Sequence, residues 1–250
     1  MGIRSPYLFQ EDGGSGFLKQ FYGGMMTTCG ITYSGAAGVD NGKALGLHGP
    51  MSNIPAEQVS ASIEYEGDER VIRVRGQVHE AEVFGTDMLM KRCYTLETER
   101  DIVHIHDVVT NQSFEKQPVM LIYHINFGYP MLDAGAKAYF SAGRVTPRTD
   151  FAAEGEAFAM LHNEKLGLAA IIRFDQKVFP LMCQWKCMRA GEYALGLEPT
   201  TSGVVNRSEA RELGNLTYLE AGESREYNVS IELTEDAAVI EHYKSIAHKE

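Results

Sequence analysis

The sequence predicts an all-β fold: a large, twisted antiparallel β-sandwich that carries one short C-terminal helix. From about residue 60 onward, short segments alternate apolar and polar side chains with a period of two, which is the pattern of half-buried strands. Gly, Asp, Asn and Pro residues separate these segments, as the turns of an antiparallel sheet require. The chain has 250 residues, a length that one β-sandwich can reach, so we expect a single domain over 1–250.

The predicted elements follow this alternation along the chain. Strands are expected near 60–66, 70–84, 88–98, 101–109, 118–127, 166–174, 179–188, 192–198, 216–220 and 225–233. A helix is predicted over 235–248, because Thr234 can cap its first turn and apolar residues recur there at helical spacing. The segments 131–160 and 199–215 are interpreted as long connections, and residues 1–22 as peripheral. The Gly-rich first 59 residues are either loops over the sheet or the remainder of a longer N-terminal region.

Composition narrows the class of partner. Lys and Arg total 23 against 34 Asp and Glu, a net charge of -11, and no stretch collects the basic residues. Neither nucleic acid nor a membrane is therefore an expected partner, whereas a small neutral ligand is compatible. The 4 cysteines are widely spaced and are expected to be reduced thiols. The first 16 residues lack an apolar leader, so we expect a cytoplasmic protein, and a homodimer is left open.

Two predicted strands differ in kind between their faces. In the strand that contains Tyr123 and Ile125, the alternate positions are His124 and Asn126, so one side packs and the other presents polar groups. In the strand 192–198, the face of Glu198 otherwise carries small residues, which leave room in front of its carboxylate. Because the next residue is a proline, we expect this strand to end with Glu198 at its rim.

Further candidates flank these strands. Gln184 and Lys186 share one face of a strand and Trp185 lies on the other, and either face could border a pocket. His48 lies in a loop whose glycines permit close approach of a ligand. His79 alternates with arginines along one face, which is either a pocket wall or a solvated surface. A single histidine on a strand is more often structural than catalytic, so the combined set is the stronger case.

Other chemistries have weaker support in the sequence. His104 and His106 have the local spacing of two metal ligands, but no third ligand can be identified and a solvated face is the better interpretation. The glycines before Lys43 do not have the spacing of a phosphate-binding loop, and Ala44 stands where Ser or Thr is required. We therefore predict neither a metal nor an organic cofactor.

With these segments identified, the chain resembles the galactose mutarotase-like, or aldose 1-epimerase, superfamily, and especially a functionally uncharacterised branch of it. Leu47-His48-Gly49, the run 123–130 (Tyr-His-Ile-Asn-Phe-Gly-Tyr-Pro) and Leu197-Glu198-Pro199 look like its motifs. The resemblance implies the superfamily's β-sandwich, with Glu198 as base, His124 as acid and His48 as a substrate-orienting residue. The family's sugar-binding arginine has no counterpart in a matching context, since Arg4 alone precedes His48, and Asp175 lies outside the motif of the family's aspartate.

The leading hypothesis is a cofactor-independent sugar epimerase. Mutarotation needs a base for the anomeric hydroxyl and an acid for the ring oxygen, and we expect Glu198 ionised near its ordinary pKa and His124 with a modestly raised pKa. Asn126, Gln184, Trp185, Lys186 and His79 are the expected substrate contacts. The alternatives are a non-catalytic carbohydrate-binding domain and a metal-assisted sugar isomerase that uses His48, His79 or His124.

Overall fold

Two antiparallel sheets of unequal size face each other in the computed structural model, which describes residues 14–21, 23–141 and 156–247. The smaller sheet has four strands in the order β1-β9-β14-β13. These strands are Met26–Cys29 (β1), Ile122–Phe127 (β9), Leu181–Arg189 (β13) and Glu192–Thr200 (β14).

The larger sheet has eight strands in the order β10-β11-β12-β16-β7-β6-β5-β4. Its strands are Glu57–Glu66 (β4), Glu69–Ala81 (β5), Asp87–Glu97 (β6), Ile102–Asn111 (β7), Ala136–Phe140 (β10), Glu156–Asn163 (β11), Leu168–Asp175 (β12) and Ser224–Thr234 (β16). Two short ribbons complete the strands, formed by Gly38–Asp40 (β2) with Lys43–Leu45 (β3), and by Gln117–Val119 (β8) with Thr217–Leu219 (β15). The predicted antiparallel sandwich is therefore confirmed.

The core lies between the two sheets. The small sheet contributes Tyr123 and Ile125 from β9 and Leu195 from β14, all of them buried. Their partners on the large sheet include Met90 and Ile172. The predicted packing faces of these two strands are correct, and the other face of the small sheet is consequently free to carry polar groups.

Several predicted boundaries were wrong. The predicted strand 118–127 is two strands, β8 and β9, and the supposed connection 131–160 contains β10 and the start of β11. The first 59 residues supply β1, β2 and β3, whose short lengths give too little alternation to detect. Besides the C-terminal helix, the described part of the chain has two short α-helices, Phe17–Gln20 (α1) and Arg207–Glu212 (α2), and one turn of 3₁₀ helix at Met51–Asn53.

The C-terminal helix is present as Ala237–Ile246 (α3), within the predicted range, but its cap differs. The Asp236 carboxylate accepts from the N–H groups of Ala238 and Val239, whereas the Thr234 hydroxyl accepts from the N–H of Asp236. Aspartate is as good an N-cap as threonine. One turn after this cap, the Ile240 side chain is buried against Met160 and Ile171 of the large sheet. Within the described residues, no helix is both long and apolar enough to cross a membrane.

We expect Ile125→Ala and Leu195→Ala each to lower the free energy of unfolding by about 2–5 kcal/mol, because each deletion leaves a cavity between the sheets. Chemical denaturation measures the change. Val83→Ala, at a side chain that is 82% exposed, is the control and should change stability by less than about 0.5 kcal/mol. Equal effects at all three positions would contradict the assignment of the core.

Candidate functional site

One row of side chains crosses the outer face of the small sheet, with one residue from each strand. The register pairs Thr27 of β1 with His124 of β9, and Cys183 of β13 with Glu198 of β14. The two middle side chains of the row are in contact across the central strands β9 and β14, since Nε2 of His124 lies 3.0 Å from Oε1 of Glu198. The sheet therefore places an imidazole and a carboxyl in direct contact on its non-core face.

Glu198 lies inside its strand and not at the rim. The strand β14 runs through Pro199 to Thr200, and Glu198 is only 2% exposed. Pairing with β13 continues through Met182 and Pro199, whereas pairing with β9 stops at Leu197 and resumes at Thr200. Proline lacks the N–H that a ladder needs, but a strand can tolerate it where one neighbour's ladder is already interrupted. The prediction that the proline ends the strand was wrong for this reason.

Gly196 makes room for the carboxyl of Glu198. A Cβ added at residue 196 would lie 2.2 Å from Oε1 of Glu198 and 3.2 Å from Cβ of Trp185. The carboxyl therefore occupies the space above the glycine, two residues back along the strand. Any larger residue at 196 would force the carboxyl to move away from its present contact with His124.

A tightly folded loop brings His48 to the pair. Its imidazole centroid lies 5.9 Å from that of His124, with the two rings nearly perpendicular. The His48 N–H donates to the carbonyl of Gly35 at 2.9 Å, and His48 itself adopts a positive φ of 63°. The next residue must be glycine, because a Cβ at Gly49 would lie 2.2 Å from the Tyr33 carbonyl oxygen.

Charged residues outside the site hold the segment against which this loop packs. A Glu80 carboxylate oxygen accepts from the N–H groups of Ile31 at 2.6 Å and Thr32 at 3.1 Å. Arg207 donates to the Thr32 carbonyl at 3.2 Å and to buried Asp40 at 2.6 Å. These contacts fix residues 31–32 and thereby the neighbouring backbone that meets His48 and Gly49.

Aromatic rings cover the polar groups. Phe17 packs on His48 with 4.9 Å between ring centroids, and Phe21 lies 5.9 Å from His124. Trp185 approaches the same histidine from β13, at 5.6 Å. We expected residues 1–22 to be peripheral, but within the described stretch 14–21 these two phenylalanines pack directly on the histidines.

Burial changes the protonation of all three groups. It raises the pKa of Glu198 to about 8, since no Lys or Arg forms an ion pair with this carboxyl among the described residues. Burial lowers the pKa of His124 to about 4. Burial, with a smaller effect of charge on His124, lowers the pKa of His48 to about 4. The expectation of an ordinary glutamate pKa and a raised histidine pKa was wrong, because it took no account of desolvation.

Unpartnered polar atoms concentrate at this face. The buried atoms without a hydrogen bond include Oγ1 of Thr27, Nδ1 of His48, Nδ1 of His124, Oδ1 of Asn126 and Oε1 of Glu198. The Glu198 oxygen touches His124, but the contact lacks hydrogen-bond alignment. Buried polar groups without partners are costly and rare in proteins. Their clustering here indicates a surface that is shaped to bond a polar ligand.

Asn126 is oriented for such a role. Its side-chain amide donates to the carbonyls of Gly24 at 3.2 Å and of His124 at 3.1 Å. These two bonds use the amide hydrogens, so the carbonyl oxygen is available as an acceptor for His124 or for a ligand.

Three of the predicted contacts lie elsewhere. Gln184 is paired with Leu197 and Lys186 with Leu195, so both share the core-directed face of the small sheet and not the face of Glu198. His79 lies on β5, where Nε2 contacts Asp87 at 2.6 Å. His79 lines a separate cleft of about 780 Å³, and this cleft is not lined by Glu198, His124 or His48. The strand period of two explains the positions of Gln184 and Lys186, since neighbours of Trp185 must point away from it.

Three residues of the site were not predicted from the sequence: Thr27, Phe17 and Phe21. Thr27 lies in a strand of four residues, too short for its alternation to be recognised. The phenylalanines reach the site only through the packing of α1. The described residues contain no group of three or more His, Cys, Asp or Glu side chains arranged to hold a metal ion.

Solved structures with the same architecture include mutarotase-like proteins. A candidate aldose 1-epimerase from Klebsiella pneumoniae superposes with a TM-score of 0.86 at 24% identity, over 98% of this chain and 75% of that protein. A galactose mutarotase-like protein from Clostridium acetobutylicum gives 0.59 at 13% identity, over 85% and 79%. A candidate aldose 1-epimerase from Escherichia coli gives 0.58 at 16% identity, over 84% of each chain. The fold is thus the galactose mutarotase-like sandwich.

Within that class, the chain belongs to a family defined as a domain of unknown function, DUF4432. The family's model matches residues 1–157 and 149–233. No protein with curated annotation matches the chain.

We expect Glu198→Gln to stabilise the protein, and the gain to grow with pH. A carboxyl whose pKa rises from 4.5 to about 8 on folding favours the folded state less and less as the pH increases between these values. The substitution removes that loss, so the variant should gain about 1–3 kcal/mol at pH 8 and little at pH 4.5. Denaturant titrations at several pH values measure the difference, with Glu226→Gln at an exposed position as control. A pH-independent difference would contradict the buried, protonated carboxyl.

Proposed function

We propose that this protein is a cofactor-independent sugar epimerase of the aldose 1-epimerase type, which acts at the anomeric carbon of a small neutral sugar. The observation that carries the proposal is the buried contact of 3.0 Å between Nε2 of His124 and Oε1 of Glu198. An acid and a base at hydrogen-bond distance, beside several unpartnered polar atoms, fit a reaction that moves protons on a polyhydroxylated substrate.

The protonation of the free pair suits this chemistry. Near neutral pH the carboxyl is protonated and the imidazole neutral, because their pKa values are about 8 and about 4. Once the two side chains align or a substrate hydroxyl bridges them, transfer of one proton from Glu198 to His124 gives a carboxylate and an imidazolium without any change in the number of protons. The pair can therefore switch between the two forms inside a site from which water is largely excluded.

Substrate hydroxyl groups would favour the ionised form. A sugar hydroxyl that donates a hydrogen bond to the Glu198 carboxylate stabilises its charged form and therefore lowers its pKa. Glu198 would then take the proton of the anomeric hydroxyl while His124 protonates the ring oxygen, and the ring opens. Rotation about the bond to the anomeric carbon and the reverse transfers close the ring on the other face, so both residues return to their starting forms.

The remaining groups of the face have supporting roles in this proposal. His48 and the carbonyl oxygen of Asn126 would bond other sugar hydroxyls, and Thr27 adds a hydroxyl directly opposite His124. Trp185, which lies beside His124, offers an apolar surface for a face of the sugar ring.

A non-catalytic carbohydrate-binding domain is the second candidate. It is favoured by the raised pKa of Glu198, since a protonated carboxyl can bind a sugar as a hydrogen-bond donor without ever acting as a base. The two candidates share the site and differ only in whether the proton leaves the carboxyl.

We expect Glu198→Gln to abolish turnover while binding persists. Glutamine keeps the size and one acceptor of the side chain, so sugar affinity should stay within about 10-fold while turnover falls by roughly 10²-fold or more. His124→Asn should also reduce turnover, through loss of the acid. Thermal shift across neutral aldoses identifies the ligand, and NMR exchange between its anomers measures the rate above the spontaneous one.

The matched controls are Glu226→Gln and His106→Asn, which lie on the large sheet away from the site and should retain full activity. If a sugar binds but the wild type and both site variants exchange anomers at the spontaneous rate, the binding domain is the correct function.

The pH dependence of kcat/KM provides a separate prediction. The active pair carries two protons, one on the Glu198 carboxyl and one on the neutral imidazole of His124. Activity should therefore fall at high pH as Glu198 loses its proton with a pKa of about 8. It should fall at low pH as His124 gains a second proton near about 4. Stopped-flow or NMR rates from pH 3 to about 10 test this bell-shaped profile. A loss of activity below pH 7 with a midpoint near the ordinary histidine pKa of about 6.5 would contradict it.

A further inference from the structure

One end of the large sheet carries an exposed apolar strip on the side that faces the small sheet. The strip consists of Val59, Ala61, Ile63 and Tyr65 of β4, Ile72 and Val74 of β5, and Leu96 of β6. The register pairs Ile63 with Ile72, and Ile72 with Leu96, so these side chains are neighbours on one face. Ile63 is 62% exposed and Tyr65 is 72% exposed. An apolar strip of this extent is a feature of interaction surfaces.

The strand at the edge of this strip has an open side. The strand β4 is the last in the order of the large sheet, and among the described strands only β5 pairs with it. It spans ten residues, longer than edge strands usually are. A long edge with an apolar face is a template for pairing with another strand.

We propose that a second copy of this chain occupies the edge, with β4 pairing antiparallel to β4 of the second copy about a two-fold axis at Ser62. An isologous contact of this kind closes after two copies, since each edge is then covered. The two large sheets would form one continuous sheet, and the two apolar strips would become one surface.

The sequence of β4 is self-complementary in this register. From Ser60 to Glu66 the side chains alternate between faces, and Val59, which follows a bulge at Gln58, lies on the apolar side with Val74. A two-fold axis on a residue of this stretch therefore keeps apolar residues opposite apolar residues. With the axis at Ser62, Ile63 faces Ala61 of the second copy and Tyr65 faces Val59.

The polar face of β4 is also compatible with this pairing. Glu64 faces Ser60 of the second copy, whose hydroxyl can donate a hydrogen bond to the carboxylate. Like charges are not opposed, which would otherwise destabilise the pairing. Within its own chain, Glu64 already accepts from Ser62 and from Arg75, each at 2.7 Å, and from Arg73.

The position of Val59 gives the second copy a further contact. Val59 lines an apolar cavity of about 330 Å³, whose walls also include Met26, Met51 and Met90. In the proposed register, Tyr65 of the second copy lies beside Val59, at the margin of this cavity. An exposed aromatic ring next to an apolar cavity is a typical anchor of an interface.

Disulfide crosslinking tests both the dimer and its register. Residues opposite each other at a two-fold axis have Cα atoms about 4.5–5.5 Å apart, within the range of a disulfide. We expect Ser62→Cys to give a covalent dimer under mild oxidation. Ser60→Cys is the matched control, because two copies of residue 60 lie four residues apart along the strands, about 13 Å, and should not crosslink. The wild type, with its native cysteines, should also give no crosslinked dimer.

Sedimentation velocity supplies the second measurement. The wild type should sediment as a dimer, Ile63→Lys as a monomer, and Phe114→Lys, at an exposed apolar residue outside the strip, as a dimer. A monomeric wild type, a dimer that Ile63→Lys leaves intact, or equal crosslinking of the two cysteine variants would overturn the proposal. None of these results depends on the sugar chemistry.

Discussion

The contact between His124 and Glu198 is the constraint around which the rest of the site is organised. Both side chains are buried on the non-core face of the small sheet, where two central strands hold them 3.0 Å apart. Desolvation penalises the charged form of each, so the free pair is neutral near pH 7. Such a glutamate ionises when a ligand supplies the hydrogen bonds that water no longer provides.

The other buried carboxylates of the protein show what is different about Glu198. Asp107 is fully buried but accepts from Arg92 at 2.7 Å and is also bonded by Tyr123. Asp40 is held by Arg207 and Arg211, and its pKa is lowered to about 2. Those charges are compensated within the fold and have structural roles. Among the described residues, no Lys or Arg forms an ion pair with Glu198, so the compensation of its charge is left to a ligand.

The support for this pair comes from residues that do not touch a substrate. Gly196 gives the carboxyl its space, and Gly49 lets the loop of His48 pass close to the Tyr33 carbonyl. Glu80 and Arg207 fix the segment behind that loop. The site is consequently set by the backbone of several strands and loops, and only two of its groups need to take part in proton transfer.

Much of the fold followed from the sequence, because period-two alternation directly reports which strand faces are buried. The faces of β9 and β14, and hence the shared side of His124 and Glu198, could be predicted in this way. The strand pairing could not, since the register of β13 against β14 decides that Trp185 joins the site and that Gln184 and Lys186 do not. The pKa values were equally out of reach, because burial of a polar strand face depends on the aromatic cover that α1 and β13 provide.

The most direct test of this account is a ¹³C NMR titration of the carboxyl groups of glutamate-labelled protein. One signal, absent from Glu198→Gln, should titrate with a midpoint near about 8 in the free protein, and a bound neutral sugar should shift that midpoint downward. If every glutamate carboxyl titrates near its ordinary pKa of about 4.3, the buried and uncompensated carboxyl on which the account depends does not exist.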